Sequence, residues 1–366
     1  MKPLATSFFT TVFCLFLLVT ADAQNYTLED FINPDEVLLS KADSLTSELT
    51  IEELAGQMIV SSGGELGKPI AHVTRLVKEG KLGGVILLKG QKETHRSQLA
   101  MLQKTSKDSG HLPLIFSSDS EPTLVNGRLK GIPPVKKTNA ITDSADSWLV
   151  ARQITKELKD LGFHQNFAPV VDVAKNSAFI TSRSYGDDEK RVIELSAAFI
   201  DGTQSDGIIA TAKHFPGHGY VQGDTHKESV YIDGELKELP VYPPLIEAGV
   251  ASIMIAHMTV RNNEKWGTNG LPASCSREIV TDLLKGELGF KGLVITDALG
   301  MQAVAKIPDG DMLAARAGND MLLMPADEDD LHAKLITAMT NDVAFKTQVM
   351  ESVSKIIRLK ICLGLI

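Results

Sequence analysis

The chain has 366 residues, a formal net charge of −9 and 43% hydrophobic residues. This length is enough for one large domain or two small ones, and the apolar content is sufficient for a sizeable core. Nucleic acids and anionic membrane surfaces attract basic proteins, so an acidic chain is not expected to have either as a partner.

The first 23 residues have the pattern of a secretory signal peptide. Lys2 provides a positive charge, residues 8–19 form an apolar run, and Ala21-Asp22-Ala23 is a cleavage site of the small-x-small type. The apolar run is too short to span a bilayer. We therefore predict an exported protein, periplasmic or secreted, which is not inserted in the membrane after cleavage and begins at Gln24.

Two cysteines, Cys275 and Cys362, would remain after cleavage. Exported proteins can form disulfides, but two cysteines do not define a disulfide framework. The sequence leaves open whether these residues are bonded to each other or are free thiols.

Helical and strand-like segments alternate along the rest of the chain. Thr50 and Glu53 have the spacing of a capping box at a helix start, and residues 148–161 and 277–288 have helical patterns. The strand-like runs are 54–60, 84–88, 112–117, 167–173, 207–212, 251–257, 292–296 and 320–324. Strands alternating with helices indicate a parallel sheet. Eight such units in one domain predict an α/β fold of the (β/α)8 TIM-barrel type, running from about residue 30 to the end.

Polar residues follow most of these predicted strands. In a (β/α)8 barrel the catalytic groups lie at the C-terminal ends of the strands. One such residue alone is equally well explained as a helix cap. As a set, they predict an active site at one end of the barrel. The residues are Asp119, Glu121, Asp172, Arg183, Lys213, His214, His257 and Asp297.

The densest group of ionisable residues is Lys213-His214-Phe215-Pro216-Gly217-His218-Gly219, followed by Asp224-Thr225-His226. Glycines allow backbone to approach a ligand closely, and a carboxylate two residues from a histidine can orient an imidazole for general acid/base chemistry. A metal site built on His214, His218 and His226 is the alternative. However, His214 and His218 are separated by Pro216 and Gly217, so they cannot share one helix face as zinc motifs of this spacing require. We expect no metal and no cofactor.

This segment resembles the signature of glycoside hydrolase family 3, in particular its β-N-acetylglucosaminidase branch. Further segments are similar to landmarks of the family, and the resemblance extends over the chain from about Leu54. The further segments similar to family landmarks are 166–173, 183–186, 271–274, 289–301 and 317–321.

The resemblance implies a retaining glycosidase that removes a terminal, non-reducing β-linked N-acetylglucosamine. It makes Asp297 the nucleophile and His226 the acid/base, with Asp224 holding its imidazole. The cell-wall fragments known as muropeptides are one expected substrate class, and we expect a monomer. The residues predicted to bind the sugar are Asp119, Arg128, Arg183, Lys213, His214, Asp172 and His257.

One segment departs from the family pattern. Where the family has Asp-x-Glu-Gly-Gly, this chain has Asp119-Ser120-Glu121-Pro122-Thr123, so the loop after Asp119 must differ in shape. The sequence also leaves three other functions open. These are a phosphorylase that uses phosphate instead of water, a catalytically silent carbohydrate-binding protein, and a metal-dependent hydrolase.

Overall fold

The computed structural model describes residues 25–221 and 230–366. Within these ranges eight parallel strands, numbered β1 to β8 in chain order, form one sheet. They are Ile59–Gly64, Gly84–Leu88, Ile115–Ser118, Gln165–Asn166, Ile209–Phe215, Ser252–Ile255, Leu293–Thr296 and Leu322–Leu323. From β1 to β7 each strand pairs with the next along the chain, and β8 pairs with β1. A parallel bridge between Ile295 and Met321 connects β7 to the start of β8. The predicted (β/α)8 barrel is confirmed.

Helices surround this sheet. The described ranges contain helices at Leu28–Ile32, Glu36–Ser47, Ile51–Met58, Ile70–Lys78, Lys92–Asp108, Val125–Arg128, Ser144–Leu161, Ala178–Thr181, Glu189–Gln204, Tyr242–Glu247, Gln302–Ala305, Gly310–Arg316, Glu328–Asn341 and Val343–Cys362, with a π-helix at Glu278–Glu287. Short 3-10 turns lie at Thr138–Ala140, Leu239–Val241 and Ala273–Cys275. Two further short parallel pairs join Gly90–Gln91 to Leu129–Lys130 and Tyr231–Asp233 to Thr259–Arg261. No helix in the part of the chain described here has the length and apolarity needed to cross a bilayer.

The predicted capping box is confirmed, and it explains an error in the strand prediction. The backbone N–H of Glu53 donates to Oγ1 of Thr50 at 3.2 Å, and the N–H of Thr50 donates to Oε2 of Glu53 at 2.8 Å. The helix that this box begins runs through Met58, so the predicted strand 54–60 is wrong for all but its last two residues. The apolar side chains of residues 54–58 recur at the spacing of a helix, and β1 begins only at Ile59.

The predicted strand 167–173 is also mostly wrong, because the regular ladder of β4 ends at Asn166. Pro169 has no N–H to donate to a neighbouring strand. The segment still lies beside β5, since the N–H of Thr211 donates to the carbonyl of Ala168 at 2.9 Å and the N–H of Val171 donates to that of Lys213 at 2.8 Å. The other predicted strands agree with the structure to within a few residues.

A lysine on the last helix, Val343–Cys362, is completely buried. Lys360 has a relative exposure of 0% and donates a hydrogen bond to Oε1 of Gln57. Burial lowers the pKa of Lys360 to about 7. Because the unfolded lysine titrates near 10.4, the folded protein binds fewer protons than the unfolded chain between these two pH values. The contribution of Lys360 to the free energy of unfolding is therefore fully present above about pH 10, where the side chain is neutral in both states, and is lost as the pH falls towards 7.

We predict that Lys360→Met raises the free energy of unfolding by about 2 kcal/mol at pH 6, where the cost of a buried charge exceeds that of the lost hydrogen bond. The gain should shrink and then reverse as the pH rises to 10. Urea denaturation at pH 6 and pH 10 measures both values. Lys346→Met, an exposed position on the same helix, is the control and should show no such pH dependence. A variant less stable than the wild type at pH 6 would contradict the prediction.

Candidate active site

A cavity of about 580 Å³ opens at the C-terminal ends of the barrel strands. Six residues predicted from the sequence to form the site contribute to its lining, and His218 and Gln302 join them. The polar lining is Asp119, Arg128, Arg183, Lys213, His214, His218, Asp297 and Gln302. The apolar lining includes Ile86, Leu88, Leu124, Phe167, Met254, Met301, Leu323 and Met324. The strand ends of a barrel thus bring together residues that lie far apart in the sequence, as expected.

Asp297 stands directly after β7, and its side chain is partly exposed to the cavity. Its Oδ1 accepts a hydrogen bond from the backbone N–H of Ala298 at 2.8 Å. Desolvation raises the pKa of Asp297, but the nearby imidazoles of His214 and His257, the N–H of Ala298 and the charge of Lys213 outweigh it and lower the pKa below its ordinary value. The carboxylate is therefore ionised at neutral pH.

One wall of the cavity is formed by Asp119 and three cations, with the buried Glu121 behind them. Nζ of Lys213 lies 2.6 Å from Oδ1 of Asp119 and 2.7 Å from Oε1 of Glu121. Arg183 donates to both oxygens of Glu121, from Nε at 2.9 Å and from Nη2 at 2.5 Å. Arg128 donates to Asp119. Lys213 therefore links the loop after β3 to β5, and the cations are held in place by the protein itself.

The pKa values of Asp119 and Glu121 follow from this network. Desolvation raises the pKa of each carboxyl, but the charges of Lys213 and the neighbouring arginines overcome it and lower both pKa values. The sequence pointed to Glu121 only as a polar residue at a strand end and did not predict a binding role for it. Its side chain is fully buried and holds Arg183.

Asp172 lies behind the wall and positions two histidines. Its Oδ2 accepts a hydrogen bond from Nδ1 of His214 at 2.7 Å, and its Oδ1 accepts from the backbone N–H groups of His214 at 3.1 Å and His218 at 2.9 Å. Asp172 is buried and does not line the cavity. Its carboxylate fixes the ring of His214, which does line it, in one orientation.

Glu238 is a second buried carboxyl that the sequence did not indicate. Its Oε1 accepts from the N–H of Val173 at 2.6 Å, and its Oε2 accepts from Gly219 at 2.9 Å and Tyr220 at 3.4 Å. Gly217 has a φ of +126°, and a Cβ there would lie 2.4 Å from Cβ of Glu238. Burial and the charge of Asp172 raise the pKa of Glu238 to about 8. This carboxyl fixes the backbone that follows His218.

His257 is also buried and contacts the segment that carries Asp297. Its Nδ1 lies 2.7 Å from Oγ of Ser274, and its Nε2 lies 3.0 Å from the carbonyl oxygen of Ala298. Since a carbonyl can only accept, Nε2 carries the proton and Nδ1 accepts from the hydroxyl of Ser274. Burial lowers the pKa of His257. It is not among the cavity-lining residues.

Asp224 and His226, the predicted acid/base pair, lie outside the described residues. In residues 25–221 and 230–366 no three His, Cys, Asp or Glu side chains are grouped so that they could hold a metal ion. Cys275 and Cys362 are free, buried thiols. Burial raises the pKa of the Cys275 thiol to about 11 and that of Cys362 to about 12.

Comparison with known proteins places residues 50–359 in the glycosyl hydrolase family 3 N-terminal domain. A beta-hexosaminidase of Tolumonas auensis is 36% identical over 271 residues, which are 69% of this chain and 78% of the relative. A beta-hexosaminidase of Nitrosomonas eutropha is 33% identical over 276 residues, 70% of this chain and 77% of the relative.

Solved structures agree with these relatives. A family 3 beta-N-acetylglucosaminidase from Paenibacillus sp. has a TM-score of 0.80 and 29% identity over 87% of this chain. The chain spans only 63% of that longer protein. A beta-N-acetylhexosaminidase from Beutenbergia cavernae has a TM-score of 0.75 and 25% identity, covering 84% of this chain and 98% of its own. With this fold, this cavity and a family match over most of its length, the chain belongs to glycoside hydrolase family 3 and is a glycoside hydrolase.

Proposed function

We propose that the protein is a retaining exo-β-N-acetylglucosaminidase, which removes terminal non-reducing β-linked N-acetylglucosamine from cell-wall muropeptides or other glycosides. The observation that carries this proposal is the position of Asp297, an ionised carboxylate in a cavity opposite a wall of fixed polar groups. A retaining glycosidase needs such a nucleophile on one face of the sugar. The choice of sugar is supported by the names of the relatives, which are beta-hexosaminidases.

The first step is attack by Asp297 on the anomeric carbon. Because Oδ1 accepts the N–H of Ala298, Oδ2 is the oxygen that forms the new carbon–oxygen bond while the bond to the leaving oxygen breaks. His226, held by Asp224, gives its proton to the leaving oxygen. In the second step His226 takes a proton from water, the water oxygen bonds to the anomeric carbon, and the Asp297 carboxylate is released.

The polar wall binds the sugar in this scheme. Asp119 offers acceptor oxygens to hydroxyl groups, Arg183 and Lys213 offer donors, and the ring of His214, oriented by Asp172, offers its Nε2. Arg128, paired with Asp119, extends the wall as a further donor. Since these groups are already held by ion pairs and by Asp172, a bound sugar meets them in fixed positions, which reduces the ordering needed on binding. His257 acts from behind, through the backbone of Ala298.

Export remains part of the proposal. Residues 1–23 have the pattern of a signal peptide, and a periplasmic or secreted enzyme that works as a monomer would meet cell-wall fragments there. Fractionation of cells that express the full chain, with immunodetection of the mature protein, tests this location. Recovery of unprocessed protein in the cytoplasm would contradict it.

The function is tested by release of nitrophenol from the β-N-acetylglucosaminide and the β-glucoside, each in phosphate and in phosphate-free buffer. We expect turnover of the N-acetyl substrate in both buffers and little turnover of the glucoside. Turnover that requires phosphate would identify a phosphorylase instead. Binding of N-acetylglucosamine without turnover of either substrate would identify a silent carbohydrate-binding protein, and activity lost on dialysis against a chelator would support the metal hypothesis.

A further inference from the structure

The cavity has an apolar wall opposite the polar one. Leu88 ends β2, and Leu124, Met301 and Met324 follow β3, β7 and β8. Because β7, β8, β1, β2 and β3 are consecutive around the barrel, these side chains form one continuous arc. The polar groups Asp119, Arg183, Lys213 and His214 come from the loops after β3 and β4 and from β5, which form the other arc.

The apolar arc continues to the mouth of the cavity. Leu88, Leu124 and Met324 are partly exposed, whereas the apolar residues deeper in the cavity, such as Phe167 and Met254, are buried. An exo-acting glycosidase places its terminal sugar at the closed end, beside the nucleophile, so the remainder of the substrate leaves through the mouth. The described part of the mouth therefore offers mainly leucine and methionine, beside the exposed Gln302 and the Asp119-paired Arg128, to the group on the far side of the glycosidic oxygen.

Met324 is held in this arc by an unusual backbone conformation. Its φ is +51°, in the left-handed region that glycine and asparagine adopt far more readily than methionine. Two backbone hydrogen bonds fix it there: its N–H donates to the carbonyl of Val60 at 2.7 Å, and its carbonyl accepts the N–H of Gly300 at 3.0 Å. Such outliers persist where the surrounding structure determines them and are frequent at ligand sites.

Leu124 comes from the segment in which this chain departs from the family pattern. It follows Pro122-Thr123, the residues that replace the two glycines. Oγ1 of Thr123 donates to the carbonyl of Ser182 at 2.7 Å, and the N–H of Leu124 donates to the carbonyl of Glu121 at 3.0 Å. These bonds fix the loop so that Leu124 lines the cavity.

We infer that this apolar arc selects substrates whose aglycone presents an alkyl or aryl surface next to the glycosidic oxygen, in preference to a second sugar ring. Leucine and methionine offer no partner to sugar hydroxyls, and a hydroxyl buried without one is costly. Methionine adapts to irregular apolar groups. The inference rests on the proposed function and narrows its substrate class to the other glycosides, because a muropeptide carries a second sugar ring at this position.

The test compares octyl and methyl β-N-acetylglucosaminides, used below micellar concentrations. Both release simple alcohols, so the bond-breaking step is matched and the difference reports contact with the aglycone. We expect kcat/KM for the octyl glycoside to exceed that for the methyl glycoside at least about tenfold, since each buried methylene strengthens binding severalfold. The β-1,4-linked disaccharide of N-acetylglucosamine should be a poorer substrate than the octyl glycoside.

Substitutions of arc residues test whether the arc causes the preference for the octyl glycoside. Met324→Asn removes the apolar side chain and suits the left-handed backbone, so it should fold and reduce the octyl-to-methyl ratio to within about threefold. Leu124→Asn should reduce it independently. Met101→Asn, a methionine that is 39% exposed on the helix Lys92–Asp108 outside the cavity, should keep the wild-type ratio.

Equal rates for the two glycosides, a better rate for the disaccharide, or an unchanged ratio in both cavity variants would overturn the inference. Calorimetric binding of the octyl and methyl 1-thio-glycosides separates this failure from a failure of the proposed function. Tighter binding of the octyl thioglycoside, weakened by Met324→Asn, would uphold the apolar arc even in a protein that turned over no N-acetylglucosaminide. Equal binding of the two thioglycosides would overturn it.

Discussion

Asp297→Ala is expected to lower kcat for the nitrophenyl N-acetylglucosaminide by on the order of 10⁴- to 10⁶-fold, the loss typical of removing a nucleophile. The fold should survive the substitution. In the described structure the carboxylate makes no ion pair, and the hydrogen bond that it accepts comes from the N–H of the adjacent residue, Ala298, so its loss affects only the local backbone. Steady-state kinetics beside a thermal denaturation curve give both results.

Chemical rescue sharpens this prediction. Azide is small enough to occupy the space of the missing carboxylate and attack the anomeric carbon, so it should restore turnover and yield the α-glycosyl azide. Asp108→Ala, an exposed aspartate at the end of the helix Lys92–Asp108, is the matched control and should retain full activity. A variant at position 297 that kept more than about a hundredth of the activity without azide would show that another group is the nucleophile.

Lys213→Met is expected to reduce both activity and stability. Lys213 is 3% exposed and is the cation shared by Asp119 and Glu121. Without it, two nearby carboxylates remain close together in a largely desolvated wall. Breaking a buried ion pair from one side costs about 3–5 kcal/mol, and the sugar loses a donor. Urea denaturation and kinetics of the N-acetylglucosaminide measure the two effects.

The pH dependence of this stability loss shows whether its cause is electrostatic. In the wild type the pKa values of Asp119 and Glu121 are lowered, so their stabilising effect is present above the unfolded pKa values near 4 and is lost as the pH falls through the lower folded values. In Lys213→Met the folded pKa values should rise. The stability difference between the two proteins should therefore be greatest near pH 7 and diminish towards pH 4. Lys104→Met, at an exposed lysine, should match the wild type throughout, and a difference independent of pH would contradict the electrostatic account.

Sequence patterns predicted the barrel because alternation of strands and helices is a local signal repeated eight times. They failed where a local signal had two interpretations. The apolar residues 54–60 fit a buried strand or a helix turn, and the capping box at Thr50, which is also a local feature, decides for the helix. The apolar run after Asn166 predicts a strand, although Pro169 interrupts the ladder there.

The active site likewise contains residues that sequence patterns predict and residues that they do not. Residues at strand ends, such as Asp297 and Lys213, were predictable because the barrel topology alone brings them together. Glu238 was not, since its role depends on backbone N–H groups of residues distant in sequence, and Glu235-Leu236-Lys237-Glu238 reads as a solvated charged turn. Leu124 could not be predicted either, because an altered loop sequence indicates a new loop shape but not which side chain enters the cavity.

The ion pairs of the polar wall leave one of its three positive charges unmatched, and Asp297 across the cavity balances it. Arg128, Arg183 and Lys213 are balanced by Asp119 in the wall, by Glu121 behind it and by Asp297 across the cavity. A neutral sugar can enter such a site without releasing or attracting counterions, so dissolved salt has little to screen. A phosphate dianion would instead have to draw cations away from carboxylates that already hold them. For the proposed reaction we therefore expect water rather than phosphate to be the second reactant, which the assays in phosphate and in phosphate-free buffer test.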